Sequence, residues 1–189
     1  MSGADDRLRW EEKSRRRVAS CPLFDIYTSR RDAADGRTGD FWILDAPDWV
    51  NVVPVLETPG REARFLMVRQ FRHGASMVTT EFPAGIVERG EDPRAAAARE
   101  LLEETGHRAA RLTSLGKVQP NPAFMGNWCH TFLAEGLVPA TGGRLDALEV
   151  LEAVSIAVSE VERLMGSGEY VNSLALVALS LYHRAITER

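Results

Sequence analysis

Three glutamates, Glu100, Glu103 and Glu104, fall at i, i+3 and i+4 near the end of one predicted helix. That spacing gathers their carboxylates into roughly a 100° arc of the helix surface. Like charges so placed cost a helix about 0.2–0.5 kcal/mol per pair. They also occupy the last turn, where the macrodipole favours cations over anions. Local electrostatics therefore oppose the arrangement unless something positive sits on it. Two readings stay open on the residues alone. One is a solvated acidic face. The other is a divalent-cation site of hard oxygen ligands, which suits Mg²⁺ with Mn²⁺ as a substitute.

The flanking residues frame that helix. Asp92 suits the N-cap, Pro93 the first helical position and Gly106 the C-terminal stop, so a helix is predicted over 93–105. Ala95, Ala98, Leu101, Leu102 and Thr105 are expected on its buried face, with the glutamates opposite. Four consecutive alanines, Ala95 to Ala98, keep its first half free of bulk. A tight Phe82-Pro83-Ala84-Gly85 turn upstream offers backbone carbonyls and close approach for a ligand.

The full spacing is more specific than its parts. Gly85, five residues, Glu91, seven residues and then Arg99-Glu100-Leu101-Leu102-Glu103-Glu104-Thr105-Gly106 resembles the Nudix box, G-x5-E-x7-R-E-U-x-E-E-x-G-U. The one departure is His107, where that family carries an aliphatic residue, and it bears on local packing more than on chemistry. Val68-Arg69-Gln70-Phe71-Arg72 followed by Glu81-Phe82-Pro83-Ala84-Gly85 resembles the ADP-ribose pyrophosphatase branch, with its RQ-aromatic-R segment and E-x-PAG turn. Pro122 and the tail Gly168-Glu169-Tyr170-Val171-Asn172-Ser173 are similar to that branch as well.

The resemblance implies an Mg²⁺-dependent pyrophosphohydrolase that splits a nucleoside diphosphate from a linked moiety. For ADP-ribose the products would be AMP and ribose 5-phosphate. It implies metal ligation by Glu100, Glu103 and Glu104 with the Ala84 carbonyl, Glu103 counting also among the catalytic residues. Arg99 would orient the site by pairing with Glu91. The branch often draws its base from a loop after the box, and here the candidates rank Glu149, then Glu152, then Asp146. Arg69 and Arg72 would grip substrate phosphates or pair with Glu81, and Phe124 and Met125 would border the pocket for the base or terminal sugar. His73, His107, His130 and His183 share no ligand spacing and receive no catalytic role. A homodimer formed through the N-terminal strands is implied too. Other Nudix specificities (GDP-mannose, NADH, a diadenosine polyphosphate) are the nearest rivals, and a non-catalytic nucleotide-sugar sensor is a more distant one.

These residues need a scaffold. Extended segments are expected at 18–27, 41–44, 50–56, 64–69, 77–82, 112–118, 128–134 and 150–158, from β-branched and aromatic enrichment between turns. Helices are expected at 159–165, where Ser159 and Glu162 read as a capping box, and at 172–186. The order implies an α/β fold, and the resemblance a Nudix-type α/β/α sandwich with a mixed sheet, preceded by a β-rich N-terminal segment. Residues 1–17 read as a charged arm and 18–189 as a single domain.

Composition bounds the rest. The chain has 189 residues, 44% of them apolar, and a formal charge of -4 from 23 basic and 27 acidic side chains. That balance argues against a nucleic-acid partner held by a basic surface. No apolar run is long enough for a membrane-spanning helix, and the N-terminus lacks the apolar core of a secretory signal. Cys21 and Cys129 lack metal-ligand spacing and read as reduced thiols, so a cytoplasmic protein is expected.

Overall fold

A computed structural model describes residues 6–143 and 150–188. The chain forms two compact units, Met1–Pro47 with Gln119–Trp128, and Asp48–Val118 with Cys129–Arg189.

In the first unit a short 3₁₀ turn, Asp6–Leu8, leads into three antiparallel strands: β1 (Trp10–Ser20), β2 (Asp25–Ala33) and β3 (Thr38–Asp45), paired in that order. The segment read as a charged arm is thus largely strand. Its pattern hid this because every residue of β1 after Trp10 is exposed, so charge occupies both faces and no alternation of period two survives. Cross-strand contacts hold it instead. Ser29 and Arg31 of β2 both donate to Glu12, and the Arg15 guanidinium lies 4.1 Å from the centre of the Tyr27 ring.

The second unit holds a seven-stranded mixed sheet. Its strands are β4 (Trp49–Leu56), β5 (Arg64–Arg72), β6 (Met77–Glu81), β7 (Ala84–Ile86), β8 (His107–Val118), β9 (Cys129–Pro139) and β10 (Leu151–Ala157). The order is β10-β5-β4-β9-β8, with β4 and β9 parallel and the other pairs antiparallel. Strands β4 and β5 pair only at Val55–Phe65 and Leu56–Arg64, and the short strands β6 and β7 fill the gap where they part: β6 pairs with the end of β5, and β7 with the start of β4. The Pro83 bend between them carries the chain from one partner to the other. The Ala84-Gly85 stretch expected as a turn is therefore a strand.

Alternation along β4 separates two cores. Val50 and Val52 pack with Ala96, Ala97 and Leu101 of α1 (Pro93–Thr105). Val53 and Val55 point the other way, with Phe65 and Met67, onto α3 (Ser173–Thr187) and Val161 of α2 (Val158–Leu164). Helices on both faces of a mixed sheet make the expected α/β/α sandwich. Among the described residues no helix is long and apolar enough to cross a membrane.

Two local expectations need correction. Ser159 does not cap α2; the helix has no side-chain cap of its own, and its Ser159 amide donates to Glu62 at 3.0 Å. The distant carboxylate replaces the local box. In α1 the buried positions are Ala96, Ala97, Leu101, Glu104 and Thr105, while Ala95 and Ala98 are exposed. A run of four alanines carries no hydrophobic face, so packing against β4 and not periodicity sets the rotation. Glu104 is consequently buried, not on an open acidic face.

Candidate active site

The ends of α1 are set by local chemistry. Asp92 accepts hydrogen bonds from the Arg94 and Ala95 amides, Pro93 occupies the first turn, and Gly106 closes the helix in the left-handed region at φ 66°. This fixes the phase at which the glutamates emerge.

Arg99 is the hub of the cluster. Its Nε and Nη2 donate to the two oxygens of Glu91 at 3.0 Å each, and Nη2 also donates to the Ile86 carbonyl at 2.9 Å. Its Nη1 donates to Glu100 at 2.7 Å and to Glu103 at 3.0 Å. The positive group demanded by the acidic turn is thus supplied from within the helix. The pairing holds the Arg99 guanidinium far above its ordinary range and the Glu91 carboxyl below its own, in both cases chiefly through the Arg99–Glu91 hydrogen bonds.

Glu104 completes the group from the buried side, accepting from the Ala84 amide at 2.9 Å. Its neighbour Gly85 has a steric reason: a Cβ there would run into the Glu100 carboxylate. Glycine lets β7 and α1 approach until Glu100 lies against the strand.

The chemistry of this donor set suits a divalent ion. Three carboxylates (Glu91, Glu100 and Glu103) share the Arg99 guanidinium and a fourth, Glu104, lies against the Ala84 amide, which gathers hard oxygen donors beside a backbone strand. Among the described residues, no three His, Cys, Asp or Glu side chains stand ready as a closed ligand set. Arg99 occupies Glu100 and Glu103 in their place.

The other predicted residues separate. Arg69 and Arg72 lie three apart on β5 and so point to opposite sides of the strand. Arg72 forms a two-pronged pair with Glu81, and both residues line a cavity of about 290 Å³ with Trp49, Asn51, Ala84 and Leu174. Arg69 instead pairs with Glu152 at 3.5 Å and Glu169 at 3.2 Å, so the structure does not bring it to that cavity. Glu152 shares the side of β10 that Val154 and Ile156 turn toward α2 and α3, and its carboxylate is 68% exposed. It therefore does not join the glutamate cluster. Glu149 and Asp146 lie outside the described residues. In the first unit, Phe124 and Met125 border a cavity of about 440 Å³ with Trp10, Arg15, Arg31 and Phe41. His107 Nδ1 sits 2.7 Å from the Thr105 carbonyl.

Two residues of the 168–173 tail make contacts that the sequence did not signal. Glu169 receives the Thr80 hydroxyl at 2.6 Å as well as Arg69. Asn172, at the start of α3, reaches Glu81 with its amide. Both partners are about ninety residues away in sequence, so no local spacing signals either contact.

Comparison with known proteins adds four findings. Residues 47–169 match the NUDIX domain. An ADP-ribose pyrophosphatase of Bacillus subtilis (strain 168) is 31% identical over 172 residues, which is 89% of this chain and 91% of that protein. A methanol dehydrogenase activator of Bacillus methanolicus is 29% identical over 146 residues, 77% of each chain. A solved structure described as an ADP compounds hydrolase superposes with a TM-score of 0.83 at 22% identity, over 95% of both chains, a likeness of fold.

Proposed function

The chain belongs to the NUDIX family, and on that premise we propose that it hydrolyses the pyrophosphate of a nucleoside diphosphate sugar, ADP-ribose in first place. Water attacks phosphorus, one P–O bond of the anhydride breaks, and ADP-ribose yields AMP and ribose 5-phosphate. The observation that carries the reading is the cluster of Glu91, Arg99, Glu100, Glu103 and Glu104 set against Ala84 and Gly85.

Nudix hydrolases use a divalent metal, and we take it to be Mg²⁺, with Mn²⁺ as a substitute. Glu100, Glu103 and Glu104 with the Ala84 carbonyl would hold it, and when bound it supplies the charge that offsets the pyrophosphate and acidifies water. The chain's own residues do the positioning. Arg99 and Glu91 fix the direction of Glu100 and Glu103. Arg72, held by Glu81 beside Ala84, offers a guanidinium to a substrate phosphate. Glu149 is the proposed base. Phe124 and Met125 are proposed contacts for the base or terminal sugar.

A homodimer is part of the proposal. The three-stranded sheet buries only Ser29 and Ala33 of its own residues, and it leaves Val18, Phe41 and Trp42 exposed, which favours cover by a second copy. The expected location is the cytoplasm, in keeping with the free thiols of Cys21 and Cys129. The test of specificity is a substrate panel: ADP-ribose, GDP-mannose, NADH and a diadenosine polyphosphate with Mg²⁺, compared by kcat/KM. ADP-ribose is expected to rank first, and a higher value for any of the other three would overturn that assignment.

A further inference from the structure

Asn172 does two jobs with one side chain. Its Oδ1 caps α3, accepting from the Leu174 and Ala175 amides at 2.8 and 3.4 Å. Its Nδ2 donates to Glu81 Oε2 at 2.5 Å. Glu81 is only 1% exposed, and a buried carboxylate is tolerated when its charge is paired and its lone pairs are filled. That condition is met with no margin. Oε1 accepts from Arg72 Nε and the Thr79 hydroxyl, and Oε2 accepts from Arg72 Nη2 and Asn172.

The same network ends at an accessible cation. The Arg72 side chain is 42% exposed and lines two cavities, the one beside Ala84 and Gly85 and another at the His73–Ala75 hairpin. Glu81 therefore acts as a socket that fixes where this guanidinium stands, and Asn172 closes the socket from the first turn of α3.

We propose that Asn172 is a positioning residue: by holding Glu81, it aims the Arg72 guanidinium at a phosphate of the substrate in the cavity beside Ala84 and Gly85. The inference rests on the hydrolase reading above. Substrates of this class present the pyrophosphate as a fixed anionic centre, so an arginine held at two points gains affinity from lost freedom.

Two substitutions separate this role from the helix cap. Asn172→Ser keeps a capping oxygen and lacks the amide that reaches Glu81. Asn172→Asp keeps the cap and sets a carboxylate against Glu81. In steady-state assays with ADP-ribose and Mg²⁺, KM is expected to rise about tenfold in Asn172→Ser and further in Asn172→Asp, with kcat within about threefold of wild type. Thermal melting is expected to stay within about 4 °C of wild type in Asn172→Ser, since the cap persists. An unchanged KM in both variants, alongside normal wild-type turnover, overturns this inference alone. A fall in kcat with KM unmoved overturns it as well. A folded wild-type protein that cleaves no nucleoside diphosphate sugar removes the hydrolase reading and this inference with it.

Discussion

Arg99 contributes one positive charge to a group of carboxylates that would otherwise repel across a single helical turn, and its removal leaves Glu91, Glu100 and Glu103 without that partner. Arg99→Met is expected to lower stability by about 1–3 kcal/mol in metal-free buffer, read from urea unfolding. Added Mg²⁺ should restore more of that loss in the variant than it adds to the wild type. An unchanged urea midpoint would remove Arg99 from its place as the hub. Glu104 allows a cleaner separation of charge from packing. Glutamine keeps a carbonyl oxygen for the Ala84 amide and loses only the charge. Glu104→Gln is therefore expected to fold normally by circular dichroism and to lose turnover by about a hundredfold. Near-normal turnover would take Glu104 out of the essential set.

At the scale of elements, function depends on how closely β7 approaches α1. Gly85→Ala is expected to displace Glu100, because the added methyl would meet its carboxylate. Misplacement on this scale costs about a hundredfold in rate with the fold retained, measurable as kcat beside an unaltered melting curve. A Gly85→Ala enzyme with wild-type kcat would contradict the close approach. The helix itself was legible from sequence because its signals are local: Asp92, Pro93 and Gly106 mark its ends by backbone chemistry that needs no tertiary partner. Its buried face was not, since Ala95 to Ala98 look alike in sequence and only contact with β4 distinguishes them. Strand β1 was missed for a related reason. Its stability comes from pairing with β2 and not from an apolar stripe. Likewise, the sequence reading left Arg69 and Arg72 equivalent as candidates. The pleat of β5 parts them: Arg72 pairs with Glu81 on the next strand, while the partners of Arg69, Glu152 and Glu169, come from distant segments.

Across the whole molecule, paired carboxylates tie stability to pH. Burial pushes the Glu81 carboxyl up, but Arg72, Thr79 and Asn172 outweigh it and hold it below its ordinary value of 4.5. Arg99 holds the Glu91 carboxyl below the same value. Groups depressed in the folded state contribute stability above their unfolded value and lose that contribution as pH falls through the folded one. The urea midpoint should thus be nearly constant from about pH 7 to pH 5 and decline steadily below about pH 4.5. A midpoint that holds to pH 3 would mean these pairs contribute little. Light scattering addresses the exposed three-stranded sheet, with twice the chain mass expected and a monomer counting against a second copy as its cover. The central claim is that the acidic turn of α1 handles a pyrophosphate, and incubation of the folded protein with ADP-ribose, followed by product chromatography, tests it most directly. AMP and ribose 5-phosphate should appear in equal amounts with Mg²⁺ and be abolished by a chelator, whereas intact ADP-ribose in the presence of Mg²⁺ would contradict the account.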